Sequence, residues 1–541
     1  MFAVFDDFIT RFRRPLLAIT MLAALLVTGL PGSLAAAESV AYQQAVAMAA
    51  GKDREVLEFY KARGFKPIWT SSSDVARRRA FIEAAAGAAD HGLPSGRYDA
   101  NELKASFGRI GSARQRAELE VQTTQKFLLY AQDIQSGILE PSRLDEEMAV
   151  VTPRRDRIQV LQAFLKSNPR GFIRSLPPKQ PEYARLMKEK ALLERVVGNG
   201  GWGPKVPGKT LKPGNKGAAV LALRARLTQM GHKRLGNSDI YDKDLQMAVT
   251  RFQLDHGLNA DGVAGPSTLQ AVNTSAQTRL QQVIVGLERQ RWLNYDLGKR
   301  HILVNQADFR AFVIDNGKVT LETRVVVGKQ GRHRTPEFAD EMTHMVVNPT
   351  WNVPKSIARK EYLPMLRKNP NSLGRQGINM TDASGRRVDP TTLDYSQFSE
   401  NYFPFDLKQP PSNGNALGLV KFMFPNKFNI YLHDTPTKSL FSRDMRAYSH
   451  GCVRVQKPFD LAYTLLRPQT SDPKGTFQKA LDSRRETVID LVKPVPVYLV
   501  YHTAWVTPDG RANFRDDIYG RDRKIFGALQ SAGVVLRAVR G

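Results

Sequence analysis

One thiol and two histidines stand where chemistry is possible. Cys452 is the only cysteine in 541 residues and lies within Ser449-His450-Gly451-Cys452-Val453-Arg454. His433 closes the run Asn429-Ile430-Tyr431-Leu432, upstream of it. A thiol near neutral pH needs a base to act as a nucleophile, and imidazole is the side chain tuned for that role. A strand ending at His433 and a turn at Cys452 would bring the two together. Gly451 lets the backbone approach a substrate closely, so amides around Cys452 could face a developing oxyanion. The competing reading is a small buried core residue, the usual fate of a free cysteine. The flanking His-Gly pair and the distal His433 favour the nucleophile.

The start of the chain bears on that choice. Arg11, Arg13 and Arg14 precede an apolar run from Leu16 to Leu30, which Pro31-Gly32 breaks, and Ala35-Ala36-Ala37 supplies small residues for cleavage. That run of about fifteen residues is short of the roughly twenty that a membrane span needs. Residues 1–37 therefore read as a signal peptide for ordinary export to the periplasm, the alternative being an uncleaved inner-membrane anchor. No later stretch is apolar enough to span a bilayer, so the mature chain is not expected to be an integral membrane protein. A single unpaired thiol in an oxidising compartment is a liability unless it has a task, which again favours a nucleophile.

Composition narrows the partners. Lys and Arg number 79 against 52 Asp and Glu, giving a formal charge of +27. Such an excess points to a polyanionic neighbour or to a generally basic surface. There is no zinc-finger spacing, concentrated basic stripe or aromatic-basic motif, so nucleic acid is not expected as a partner. The nine histidines include no i, i+4 pair and there is no second cysteine, so no metal is expected. No other cofactor is implied. Gly-x-Ser-x-Gly and Walker patterns are absent, which leaves Cys452 as the candidate nucleophile.

The elements that must position these residues fall into several units, as the length requires. From 39 to 206 the apolar spacing is helical: Val56, Phe59 and Tyr60 share a face, as do residues around Phe81 and Phe127, with breaks at His91-Gly92-Leu93-Pro94 and after Gly137. The Gly-, Pro- and Lys-rich stretch 198–217 reads as a linker. Residues 211–275 form a compact three-helix pattern, with Val220, Leu223 and Leu227 in one stripe, Leu245, Val249 and Phe252 in the next, and Gly265-Pro266 starting the third. From 283 to 505 the period becomes alternating. Strands are expected at His301–Asn305, Arg310–Asp315, Val319–Val327, Met345–Val347, Phe428–His433, Val488–Val492 and Val497–Tyr501, with Asn316-Gly317 as a hairpin turn. The strand pattern disappears between about 355 and 417, a stretch too long for a connection and expected to form a lid or small subdomain. Trp351 and Tyr402 are candidate aromatic surfaces for a cleft, with simple packing the commoner role for such side chains, and 506–541 reads as a C-terminal extension.

The pattern His433…Ser449-His450-Gly451-Cys452-Val453-Arg454 resembles the signature of L,D-transpeptidases with a YkuD-type catalytic domain. Asp434 departs from the Gly or Ser of many small members, but His433-Asp434-Thr435-Pro436 is similar to the large periplasmic YcbB-like subgroup. Leu211, Gly214 and Gly217, with Phe252-Gln253, Asp261-Gly262 and Gly265-Pro266, resemble a peptidoglycan-binding domain. Asn415-Ala416-Leu417-Gly418 with Lys421-Phe422 resembles the return from that subgroup's cap. The resemblance implies a multidomain α+β chain: helical scaffold, three-helix module and a β-sandwich-like catalytic domain with a cap. It further implies His433 as base, Cys452 as nucleophile, and Ser449, His450 and Gly451 as the oxyanion turn. Arg454, Trp351 and Tyr431 are implied at the substrate. The implied reaction is formation of 3→3 cross-links between peptidoglycan stem peptides through a cysteine thioester. Hydrolysis of that thioester, transfer to an outer-membrane protein, and a decayed wall-binding protein stay open as alternatives, and other wall-synthesis enzymes are possible partners.

Overall fold

The computed structural model describes residues 31–233 and 235–540. Most of the expected signal segment, residues 1–30, lies outside them. The described part of the chain begins within helix α1 (Pro31–Ala50). No helix among the described residues is long and apolar enough to cross a membrane.

The N-terminal part is helical and is organised by one buried carboxylate. Glu120 lies inside the long helix α4 (Ala113–Ser136), which follows α2 (Arg54–Ala62) and α3 (Val75–Ala86). Its oxygens accept hydrogen bonds from the backbone of Ile68, Trp69 and Thr70 and from the Tyr60 and Thr70 hydroxyls. Five donors satisfy a group that would otherwise be costly to bury. They pin the Trp69 segment so that Trp69 packs among Phe81, Phe127 and Phe164. After α5 (Pro181–Gly198), a separate core of Val220, Leu223, Leu227, Leu245, Val249 and Phe252 fills the three-helix unit α6 (Ala218–Gln229), α7 (Lys243–Asp255) and α8 (Pro266–Val272).

Helix α9 (Ala276–Trp292) then joins the parts. Glu288 accepts from the backbone N–H groups of Ile138 and Leu139, at 2.7 and 3.0 Å, and pairs with Arg291 at 2.7 Å. Arg291 also reaches the His91 carbonyl and the Tyr183 hydroxyl. Arg289, on the same helix, pairs with Glu337 and Asp522.

The β-rich part is a nine-stranded sheet that curls until β2 (Arg310–Asp315) pairs with both β1 (Arg300–Asn305) and β3 (Lys318–Gly328). One face encloses a core that includes Ile302, Val325, Met345, Phe422, Leu432 and Val453. The expected strands at 488–492 and 497–501 are one strand, β13 (Thr487–Val500), with an irregular register between Asp490 and Val495 against β4 (Phe338–Val347). Pro494 and Pro496 lack the N–H groups a regular ladder needs there. Residues 355–417 do contain strands: β6 (Asn379–Thr381), β7 (Arg387–Val388) and β8 (Asp406–Gln409) join β5 (Trp351–Asn352) in a small sheet. These strands are two to four residues long, too short for alternation to register in the sequence. Tyr362, Leu363, Leu366, Met380, Phe403 and Leu407 give this cap its own core.

The segment 506–541 is built into the molecule. Helix Arg521–Ser531 buries Ile525, Phe526 and Leu529 against Leu186, Val283 and Leu287. Arg511 pairs with Asp255 of the three-helix unit at 2.6 Å, and Arg515 donates to the Asp255 carbonyl. Glu288→Ala should leave Arg291 buried without its carboxylate and destabilise the chain by about 3–5 kcal/mol. Chemical denaturation followed by far-UV circular dichroism would check this, and an unchanged midpoint would refute the role given to α9.

Candidate active site

A two-residue strand positions the proposed base. β10 (Leu432–His433) runs parallel to β12 (Val453–Val455), with Leu432 opposite Val453 and His433 opposite Arg454. On its other side it pairs antiparallel with β9 (Val420–Met423). Side chains alternate along a strand, so Leu432, Val453 and Val455 enter the core while His433, Arg454 and the preceding Cys452 share the opposite face. That face opens into a cleft of about 740 Å³ whose lining includes Trp351, Tyr431, His433, Ser449, Cys452 and Arg454. Of the expected strand Phe428–His433 only the last two residues are extended pairing. Asn429 is left-handed at φ 53°, and this bend places its carbonyl 3.6 Å from the Cys452 sulfur.

The turn before Cys452 is shaped from outside. Gly451 has φ 117°, a conformation that favours glycine, and a Cβ there would press on Ile430 Cδ1 at 3.0 Å. Buried Thr335 accepts from the Gly328 amide at 2.9 Å and donates to the Gly451 carbonyl at 2.7 Å. Ser449 is buried at the irregular end of β11 (Ala447–Ser449), where its carbonyl accepts from Lys329 N–H. Among the described residues, the backbone N–H groups of His450, Gly451 and Cys452 have no backbone carbonyl partner. Amides left free beside a thiol suit an incoming oxyanion.

The electrostatics describe a neutral resting pair. Burial pushes the Cys452 thiol up to about 11, against the backbone N–H and hydroxyl of Tyr431 and the Arg454 guanidinium, which favour the thiolate. Burial and then Arg454 bring His433 down to about 3, partly offset by backbone groups of Asp434 and Leu417. Among the described residues His433 Nδ1 has no hydrogen-bond partner, and neither does Arg454 Nε. Arg454 forms no ion pair among the described residues, which leaves a largely buried guanidinium facing the cleft. Burial lowers it from its ordinary range.

Other expected residues divide clearly. Trp351 lines the cleft, with its ring centroid 6.4 Å from that of Tyr362. Tyr402 is 60% exposed, packs on Phe398 at the outside of the cap and does not line the cleft. His450 does more than shape the turn: its Nε2 lies 2.5 Å from Glu361 Oε1 in the cap, and its ring meets His333 edge to face. Asp434 ties the cap's return to β10. It accepts from the Leu419 N–H at 2.9 Å, pairs with Lys438, and lies where a Cβ on Gly418 would be. Thr335, His333 and Glu361 carried no sequence signal, because each reaches the site from a remote segment.

Residues 299–488 match the family model for the L,D-transpeptidase catalytic domain, 54–189 match the model named scaffold domain, and 216–272 match that described as "Putative peptidoglycan binding domain". A Haemophilus influenzae protein named "Putative L,D-transpeptidase" is 38% identical over 226 residues, covering 41% of this chain and 45% of that protein. The match thus spans less than half the length of that curated relative. Among solved structures, the L,D-transpeptidase (residues 123–326) of Xylanimonas cellulosilytica is 17% identical, covers 55% of this chain and all of its own, and has a TM-score of 0.16. The L,D-transpeptidase (Yku) of Stackebrandtia nassauensis is 14% identical, with coverages of 55% and 97% and a TM-score of 0.22.

A neutral thiol predicts a simple pH response. With the thiol raised to about 11, alkylation of Cys452 by iodoacetamide should keep climbing from pH 7 to at least about pH 10. The rate is to be followed by intact mass. A plateau below about pH 8 would instead show a thiolate already formed at rest.

Proposed function

Because the chain carries an L,D-transpeptidase catalytic domain beside a peptidoglycan-binding domain, we propose that it forms 3→3 cross-links in peptidoglycan through a thioester on Cys452. The observation that carries this reading is the shared face of β10 and β12. It presents an imidazole whose Nδ1 has no partner among the described residues, a thiol with free turn amides beside it and a guanidinium without an ion pair to one capped cleft.

In the proposed reaction, Cys452 Sγ attacks the carbonyl of the third residue, a diamino acid, of a tetrapeptide stem. Its proton passes to His433 as the carbon–sulfur bond forms, which suits a pair that is neutral at rest. The amides of the His450-Gly451-Cys452 turn receive the oxyanion. Collapse expels terminal D-Ala, whose amine takes the proton back from His433, and leaves the thioester. An amine of a neighbouring stem then attacks the thioester, loses its proton through His433, and the thiol is restored. Arg454 would bind a stem carboxylate, since a buried guanidinium without an acidic partner favours one. Trp351 and Tyr431 would flank the donor stem. The three-helix unit would hold the enzyme on the wall, and the +27 charge would add a salt-screened attraction to acidic polymers. A cell-wall substrate also fits the extracytoplasmic location expected from residues 1–37.

Cys452→Ala should abolish acylation by a carbapenem and cross-linking of purified stem peptides, both read by mass spectrometry. An adduct on the alanine variant would move the nucleophile elsewhere. Muropeptide products containing only shortened, uncrosslinked stems would favour thioester hydrolysis instead. His433→Ala should slow acylation by roughly 10²–10⁴-fold, and His450→Ala by clearly less. Equal losses in the two would remove the assignment of His433 as the base.

A further inference from the structure

A second constellation lies at the mouth of the same cleft. His333 comes from the connection between β3 and β4, Glu361 from a π-helical turn of the cap (Ala358–Tyr362), and His450 from the turn before Cys452. One ring nitrogen of each histidine and a carboxylate oxygen all lie within 4.8 Å of one another. Glu361 and His450 are already 2.5 Å apart, and the His333 and His450 rings meet edge to face with centroids separated by 4.6 Å. All three side chains line the cleft and are open to solvent in part. The acyl transfer described above uses neither His333 nor Glu361.

Two imidazoles and one carboxylate form a three-ligand set that suits zinc and leaves a fourth position open. Ligands held at about 2.0–2.2 Å in tetrahedral geometry stand roughly 3.3 Å from each other. Side-chain rotation at partly exposed positions can supply that closure. The ligand types also discriminate between ions. Calcium and magnesium rely on several oxygen ligands and are poor candidates, whereas imidazole nitrogens favour zinc, nickel or copper.

We propose that His333, Glu361 and His450 bind a zinc-class divalent transition metal. The bound ion latches the cap to the turn that carries Cys452 and narrows the entrance to the cleft. Sequence spacing could not show such a site, because its ligands come from three segments rather than one helix. Metal binding itself is independent of the reaction assigned to Cys452, and only its effect on acylation rests on that reading.

The test begins with the full chain bearing Cys452→Ser and stripped with EDTA, so that no thiol competes for metal. Isothermal titration with Zn²⁺ should give one site. Adding His333→Ala or Glu361→Gln should weaken that site by at least about tenfold. With Cys452 present, Zn²⁺ should slow carbapenem acylation of the wild-type chain. It should leave the acylation rates of His333→Ala and Glu361→Gln unchanged, each measured against its own metal-free rate. Absence of Zn²⁺ binding to the Cys452→Ser chain, or binding unchanged by both further substitutions, would overturn the proposal. Equal slowing by Zn²⁺ in all three Cys452-containing chains would place the ion on the thiol and overturn it as well. If metal binding behaves as expected but no chain is acylated even without metal, the site stands and the reading of Cys452 falls.

Discussion

The register between two very short strands is the constraint on which the candidate site depends. Leu432 opposite Val453 and His433 opposite Arg454 is all the pairing that β10 and β12 make with each other. A slip of one residue would turn His433 into the core and Leu432 into the cleft. Two residues cannot hold a register unaided. It is fixed by full burial of Leu432 and Val453, by the bond from Val453 N–H to the Tyr431 carbonyl, and by β9 on the far side. Asp434 continues the same strand and anchors the cap's return through Leu419 and Gly418. The position of the imidazole and the placement of the lid thus depend on adjacent residues.

What was legible in the sequence was what is contiguous. The Ser449–Arg454 run, the distal His433 and the hairpin at Asn316-Gly317 are each local, and chemistry or turn geometry restricts the residue types at each. The three-helix unit was equally plain, because its stripes repeat at helical spacing and its core is built within the segment. The supports of the turn before Cys452 were not legible. Thr335 joins Gly328 to Gly451 from a position that no spacing argument links to Cys452. The cap strands were missed because they are shorter than one alternation can register. For Tyr402 the sequence left cleft lining and simple packing open, because an aromatic in a polar stretch gives no clue to which side of a small subdomain it occupies, and it packs on Phe398. Asp434 stood out as a departure from a pattern, and its contacts give it a structural task.

Buried charge links the units in a manner that apolar packing alone would not specify. Arg289 and Arg521 converge on Glu337, which sits where the β-rich part meets α9 and the C-terminal helix. Glu288 and Arg291 face the opposite way, toward the helical scaffold. Such pairs add little net stability over well-packed apolar groups, but removing one partner is costly. Their effect here is directional, since each charge has partners in only one orientation of its neighbours.

The Tyr519 hydroxyl donates to the Gly328 carbonyl, and Arg521 donates to that of Thr335, the two residues that brace Gly451. This has a consequence for the order of events at the ribosome. At ordinary synthesis rates of about 5–20 residues per second, Cys452 is made several seconds before the residues that complete its support. During that interval the bracing contacts cannot exist, and loop closure across the chain must come afterwards. The nascent thiol is therefore present before its reactive geometry is, and maturation of the site waits on the arrival of a distant tyrosine and arginine.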